Sequence, residues 1–417
     1  MAQSSPSSAI SPAASTPAIA PLVVLTLAGA VAAFVWRLWG TGPAINGGGE
    51  AYSLAQSLAL HGTFADPFAG LGKTGPSAHL PPLFPGLLAL IMWVSPTLFA
   101  PITFFLALLA HGLNAALLPL LSIRLLGTPR PGWIAAIASI LLPVYQLYPT
   151  WDAIYSADLL MLGVLIFAGF IERRSFGWRS AAAAGCYLSV LLLMNAICGI
   201  ALVVITVALL LRKKIPAREA APFLSLALAV SLLGMTPWIV RNYQIFGRFV
   251  PLRDDLGIAL YSSNNDCAQA TLEANLQTGC HQARHPIGSR PENQLVAQLG
   301  EVEYNRDRLG KALAWVNSHR SRFLSLTIQR ARAFWYPQRQ PAVWLMTTCG
   351  IIGLALLLRR DPWMSIVFTT ALLLYSLLYY FVEAQERYLY PVYWCVCLCA
   401  GYFGATLTRI FARWQIA

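Results

Sequence analysis

Apolar residues run along this chain in blocks of about 20, the length a helix needs to cross a hydrocarbon core of about 30 Å. Taken in order, the blocks predict membrane-spanning helices over Ile19–Trp39, Ala100–Ile123, Trp133–Pro149, Asp158–Ile171 and Ser180–Met194. They continue over Ala196–Leu211, Ala221–Val240, Ala342–Leu358, Trp363–Val382 and Pro391–Ile410, ten spans in all. One block of this kind can be a cleaved signal; a series cannot. The apolar stretch Leu83–Val94 is too short to join them, begins at Pro81-Pro82 and is broken by Pro85. It is predicted to lie at the membrane interface, or to dip in and return. Before it, a turn-forming run (Gly42-Pro43, then Gly47-Gly48-Gly49) leads into an amphipathic helix with Ala51, Leu54, Ala55 and Leu58 on one face. The longest polar interval, Arg241–Pro337, is predicted to be mostly helical over Glu292–Trp335, where Leu295, Leu299 and Val302, then Leu309, Leu313 and Val316, keep helical spacing.

Composition agrees with the pattern: of 417 residues, 57% are hydrophobic and only 11% charged, against about a quarter charged in soluble proteins. A net charge of +12 raises the thought of nucleic acid, but its placement excludes that partner. The basic residues cluster between apolar blocks, at Arg124 and Arg130, at Arg173, Arg174 and Arg179, and at Arg212, Lys213, Lys214 and Arg218. Arg359 with Arg360, and Arg409 with Arg413, complete the series. Short basic turns of this kind mark the cytoplasmic side, which puts both termini inside; Arg37 is a minor departure. The expected fold is an all-α polytopic membrane protein with about ten transmembrane helices, interfacial helices in the first outer loop and a mostly helical outer segment. Residues 1–18 are expected to be a flexible cytoplasmic tail, since Met1–Pro17 is rich in Ser, Ala and Pro, and its lack of Lys and Arg makes it a poor secretory signal. Residues 19–240 would form a transmembrane catalytic module with the outer loop 40–95, followed by an outer segment (241–337) and C-terminal spans (338–417). The expected location is the plasma (inner) membrane, with the active site facing the periplasm or exterior.

Glu50 follows three glycines and opens the amphipathic helix just outside the first span. The helix dipole there favours the ionised carboxylate by about 0.3–1 kcal/mol. Such an acid can cap the helix and do nothing more, or it can serve as a base or cation ligand.

The segment beyond Glu50 carries further signals. Glu50-Ala-Tyr52, Leu58-Ala-Leu-His61-Gly62-Thr-Phe64 and Ser77-Ala-His79-Leu-Pro81-Pro82-Leu-Phe84-Pro85 together resemble the first outer loop of the C-type (GT-C) membrane glycosyltransferases. That group includes the protein O-mannosyltransferases and the lipid A aminoarabinose transferases, of the glycosyltransferase family 39 kind. Pro237-Trp238-Ile-Val-Arg241-Asn242-Tyr243, Phe246-Gly247-Arg248, and Arg387-Tyr388 before the last span extend the resemblance over most of the chain. The resemblance implies that Glu50, where other members carry Asp, is the catalytic base, and that His79 lies on a surface-lying stretch beside it. It further implies a second outer acid for substrate or metal contacts, Asp152 or Asp158, with both left open. No cofactor is otherwise called for; a divalent metal stays open.

The chemistry implied is inverting sugar transfer. A polyprenyl phosphate leaves as a stable anion, so no acid is needed to protonate it, in contrast to glycosidases that use two carboxyls. What it needs is positive charge, and the planar fork of arginine suits phosphate. Arg241 and Arg387, with Tyr388, stand at outer ends of spans, where they can bind substrate phosphate or simply anchor the interface. Asn195, between paired spans, reads as an interhelical hydrogen bond. Gly72-Lys73-Thr74 is no phosphate-binding loop, because Pro67 stands where the first glycine belongs. His281 and His285 have metal-ligand spacing but fall in a polar loop, and Cys395, Cys397 and Cys399 read as packing. Cys267 and Cys280 lie in the outer segment, where oxidation is allowed, and can close a loop worth about 3 kcal/mol. The expected partners are the bilayer, a polyprenyl-phosphate sugar donor and a glycan, lipid or protein acceptor. The rival expectation is a transporter or flippase of lipid-linked saccharides.

Overall fold

The computed structural model describes residues 18–39, 49–338 and 340–414. The tail before Ala18 and the turn signals Gly42-Pro43 and Gly47-Gly48 lie outside the described residues. The first half of the chain forms α1 (Ile19–Trp39), α2 (Glu50–His61), α3 (Leu83–Val94), α4 (Phe99–Leu126) and α5 (Arg130–Leu141). Then come α6 (Ala153–Glu172), α7 (Trp178–Met194), α8 (Ala196–Arg212) and α9 (Ala217–Phe246). The polar segment folds as α10 (Leu256–Ser263), α11 (Leu272–Gln277), α12 (Cys280–Arg284), α13 (Arg290–Leu299), α14 (Glu301–Ser318) and α15 (Arg320–Trp335). The chain ends with α16 (Pro341–Arg360), α17 (Pro362–Leu377) and α18 (Tyr390–Trp414). Among the described residues there is no strand, only isolated bridges at Ala65–Pro76 and Thr271–Ala384.

Seven of the described helical stretches are long and apolar enough to cross a membrane: α1, α4, α6, α9, α16, α17 with the 3-10 turn that continues it to Tyr380, and α18. The helices α7 and α8 have 17 residues each, about 26 Å at 1.5 Å per residue. They meet at Asn195, the extended residue that ends one and accepts from Cys198 N to cap the other. The segment expected to span over Trp133–Pro149 does join the two ends of the bundle, but it is helical only in its first part. Its helix, α5, has 12 residues and stops at Leu141, because Pro143 forces Leu142 out of the helical region, to φ −109° and ψ 132°. Residues 142–152 then run irregularly along α18, where the Tyr390 hydroxyl accepts from Gln146 N at 2.6 Å. With 12 residues, α3 is too short to span. It buries Phe84, Leu88 and Ala89 against Ala51, Ala55 and Leu58 of α2, and leaves Leu90, Trp93 and Val94 exposed.

The basic turns converge on one end of the bundle. Arg124 pairs with Glu172, Arg174 with Glu219 at 3.6 Å, and Arg212 with Asp361 at 2.6 Å, so the ends of α4, α6, α8 and α16 and the start of α9 are tied together there. Glu50, the start of α6, Asn195 and the end of α9 therefore all lie at the opposite end. Through the middle runs α18, buried on every side from Leu389 to Ala400 between α5, α6 and α16. Its three cysteines are packing groups: a Cβ on Gly353 of α16 would come within 1.8 Å of the Cys399 carbonyl oxygen.

Candidate active site

Gly49 sits at φ 151°, in a region that side chains avoid, and sets the turn that starts α2 at Glu50. The Glu50 side chain, 21% exposed, meets two histidines: Oε1 lies 3.3 Å from Nε2 of His79 and 3.6 Å from Nε2 of His285. Burial pushes the Glu50 carboxyl up. The charge and hydrogen bond of His79, then the charges of His285 and Arg387, outweigh it and hold the group well below the ordinary carboxylate value. His79 feels the converse: burial pushes its imidazole down, but Glu50, with Asp255 and Glu301 behind it, raises it above 6.5. His285 is dominated by burial and falls to about 4, despite Glu50. The arrangement is an ionised carboxylate held between one imidazole whose charged form it favours, His79, and one that burial keeps neutral, His285.

Each histidine is fixed by elements distant in sequence. The strand-like stretch before His79 is clamped from both sides. Arg241, on α9, donates to the carbonyl oxygens of Ser77 at 2.6 Å and Phe64 at 2.8 Å, and lies over the Trp238 and Phe64 rings. Glu301, the buried first residue of α14, accepts from Ser77 Oγ at 2.5 Å and Ala78 N at 2.6 Å. Its burial raises the carboxyl to about 7, against the charge of His79 and these two donors. His285 ends α12, which begins at Cys280, bonded to Cys267 with their Cα atoms 5.6 Å apart. His281 stacks on His285 with ring centres 4.7 Å apart and lies 3.3 Å from Glu383 Oε1. The ring of Phe68 meets both His79 and His285 edge-on, so it separates them from the bulk of the polar segment.

A second group faces this cluster. The Arg387 guanidinium lies 3.2 Å above the Trp151 ring centre and its Nε donates to Gln385 at 2.9 Å. Trp151 stacks on Tyr148, and Tyr388 stacks on Tyr379 with ring centres 4.4 Å apart. Arg253 pairs with Asp255 close to these tyrosines. Asp152, at the start of α6, accepts from Asn195 at 3.0 Å and Ser156 at 3.1 Å. Asp158 is different: six residues further along α6, about 9 Å deeper, it is buried and accepts from Asn114 of α4 at 3.1 Å.

Of the residues singled out from the sequence, Glu50, His79, Arg387, Tyr388 and Asp152 thus lie at one end of the bundle. Asp158 lies inside it, and Arg241 donates to the backbone carbonyls of Ser77 and Phe64 and to the Asn242 side chain. The sequence pattern offered no signal for Glu301, Arg253 or Trp151, and marked His285 only through its metal-ligand spacing from His281. Among the described residues, no three His, Cys, Asp or Glu side chains are grouped to hold a metal ion.

No protein-family model and no curated protein matches the sequence. Solved structures do resemble the fold. The archaeal oligosaccharyltransferase AglB from Archaeoglobus fulgidus, in complex with an inhibitory peptide and a dolichol-phosphate, superposes with a TM-score of 0.56 at 12% identity, over 95% of this chain and 51% of that one. The A. fulgidus oligosaccharyltransferase complexed with Zn and sulfate gives 0.55 at 14% identity, over 94% and 50%. Its apo form gives 0.54 at 13% identity, over 95% and 51%. The chain spans about half the length of these structures. At such identities the likeness is one of architecture alone: this chain's all-helical fold resembles about half of these oligosaccharyltransferase structures.

Proposed function

We propose that the protein is a membrane glycosyltransferase that moves a sugar from a polyprenyl-phosphate donor to a lipid, glycan or protein acceptor, with inversion and with Glu50 as the general base. The observation that carries the reading is the Glu50 carboxylate itself. It is kept ionised between His79 and His285 and faces Arg387 at the bundle end away from the basic turns. The acceptor nucleophile would approach Glu50 and attack the anomeric carbon while the bond to the phosphate oxygen breaks on the opposite face. The nucleophile's proton passes to Glu50, and the bonding electrons leave with the lipid phosphate. A carboxylate this acidic is a weak base, so the proton moves late, once bond formation has made the nucleophile acidic. The leaving anion needs cations, and Arg387 and Arg253 are the guanidinium groups beside the site. Arg241 supports the reading indirectly, by holding the His79 stretch. Asp152 is the outer acid assigned to the acceptor, through its position beside Asn195. The fold shared with AglB, whose structure holds a dolichol-phosphate, agrees with a lipid-linked donor.

Glu50→Gln tests it. The substitution keeps shape and hydrogen bonding, so the protein should insert and fold, but transfer should fall by about 10²-fold or more. Glu50→Asp should keep part of the activity. The readout is restoration of a missing glycan in a deletion strain; full restoration by the Gln variant would remove Glu50 as base.

A further inference from the structure

At the end of the bundle remote from Glu50, a cavity of about 260 Å³ opens between three elements. They are the turn joining α4 to α5, the turn joining α16 to α17, and the last turns of α18. Its polar lining is Thr128, Arg360, Asp361, Tyr402, Thr406 and Arg409. The one acid among them is already committed: Asp361 Oδ2 accepts from Arg212 at 2.6 Å and Oδ1 from Met364 N at 3.0 Å. Arg360 and Arg409 are exposed, and no carboxylate among the described residues pairs with either. Two uncompensated guanidinium groups therefore line one concavity beside two threonines and a tyrosine. Leu358, two residues before Arg360 toward the middle of α16, is 53% exposed on a helix long and apolar enough to cross a membrane. Two unpaired guanidinium groups and hydroxyl groups around one concavity at the helix ends are a donor set that suits phosphate.

We propose that this cavity binds the phosphodiester of an anionic phospholipid from the leaflet opposite the Glu50 face, held between Arg360 and Arg409. Arginine's fork matches phosphate oxygens, and basic pockets between helix ends are suited to lipid headgroups. The site is separate from the proposed transfer chemistry and stands whether or not that reading does.

The test uses the full chain in nanodiscs of phosphatidylcholine doped with phosphatidylglycerol, with lipid retention read by native mass spectrometry. Wild type should retain phosphatidylglycerol over phosphatidylcholine. Each of Arg360→Gln and Arg409→Gln should lower that retention roughly 5-fold, and the double variant about 25-fold, at about one basic contact each. Arg359→Gln, next in sequence but not lining the cavity, should leave it unchanged. Equal retention of the two lipids by wild type would overturn the proposal, as would an equal loss in Arg359→Gln, which would reduce the effect to general surface charge. Release of phosphatidylglycerol by inorganic phosphate alone would assign the cavity to a free phosphate compound and overturn the lipid assignment. Should the double variant misfold, judged by thermal unfolding in pure phosphatidylcholine nanodiscs, the two single variants decide.

Discussion

Replacing His79 by glutamine removes a charge and a hydrogen bond from Glu50 but leaves the burial that raises its carboxyl. In the wild type the acid limb of kcat/KM should therefore fall below the ordinary carboxylate value of 4.5, and in His79→Gln it should move upward. A limb at the same pH in both proteins would show that His79 does not tune the base. The same pair sets a stability window. Glu50 is depressed, so its contribution is present above 4.5 and lost as pH falls through its folded value. His79 is raised, so its contribution is complete below 6.5 and lost as pH rises through its folded value. The excess thermal stability of wild type over His79→Gln should accordingly peak between those limits and shrink on both sides.

At the scale of elements, the site is held by segments that contribute no reacting group. The Arg241 guanidinium bridges α9 to the carbonyl oxygens of Phe64 and Ser77, and so fixes the stretch that ends in His79. Removing it strands two partly buried acceptors. Each is worth about 1–3 kcal/mol when left unpaired. Arg241→Ala should lower stability by an amount of that order and reduce kcat through misplaced His79. Its effect on the KM for donor should stay small, since its two terminal nitrogens are engaged by Ser77, Phe64 and Asn242. A large KM increase with unchanged unfolding would instead make Arg241 a phosphate ligand. The irregular stretch after α5 is a second such element. Stopping the helix at Leu141 lets the irregular residues 142–152 complete the passage to the Glu50 end and bring Tyr148 and Trp151 up to Arg387.

For the molecule as a whole, the ion pairs Arg124–Glu172, Arg174–Glu219 and Arg212–Asp361 gather the basic turns at one end, which the positive-inside tendency assigns to the cytoplasm. On that assignment we propose that the Glu50 end faces outward. Single cysteines at exposed positions, in a background lacking the exposed Cys186, test this. Gln298→Cys, at the end of α13, should react with an impermeant thiol reagent in intact cells, and Gly177→Cys, before α7, only after lysis. The reverse labelling would turn the active-site face inward. Ser289, also in the polar segment, is 6% exposed and so is a poorer probe.

What the sequence determined by itself rests on local composition. The apolar blocks located the long helices, the basic turns sorted their ends, and the glycine before Glu50 marked a helix start, because each signal is complete within about one helix length. Pro143 was equally local, and a full helix over Trp133–Pro149 was read through it against the ordinary effect of proline on the residue before it. Only the tertiary structure decided the rest. It set His285 against Glu50 through α12, the Cys267–Cys280 bond and the stacked His281. It turned Arg241 toward backbone, and it separated Asp152 at the site end from Asp158 among the spans. These are contacts between segments far apart in the chain, fixed by how the helices of the polar segment pack onto the bundle end. No periodicity or spacing within one segment records the direction in which a side chain meets a partner from another.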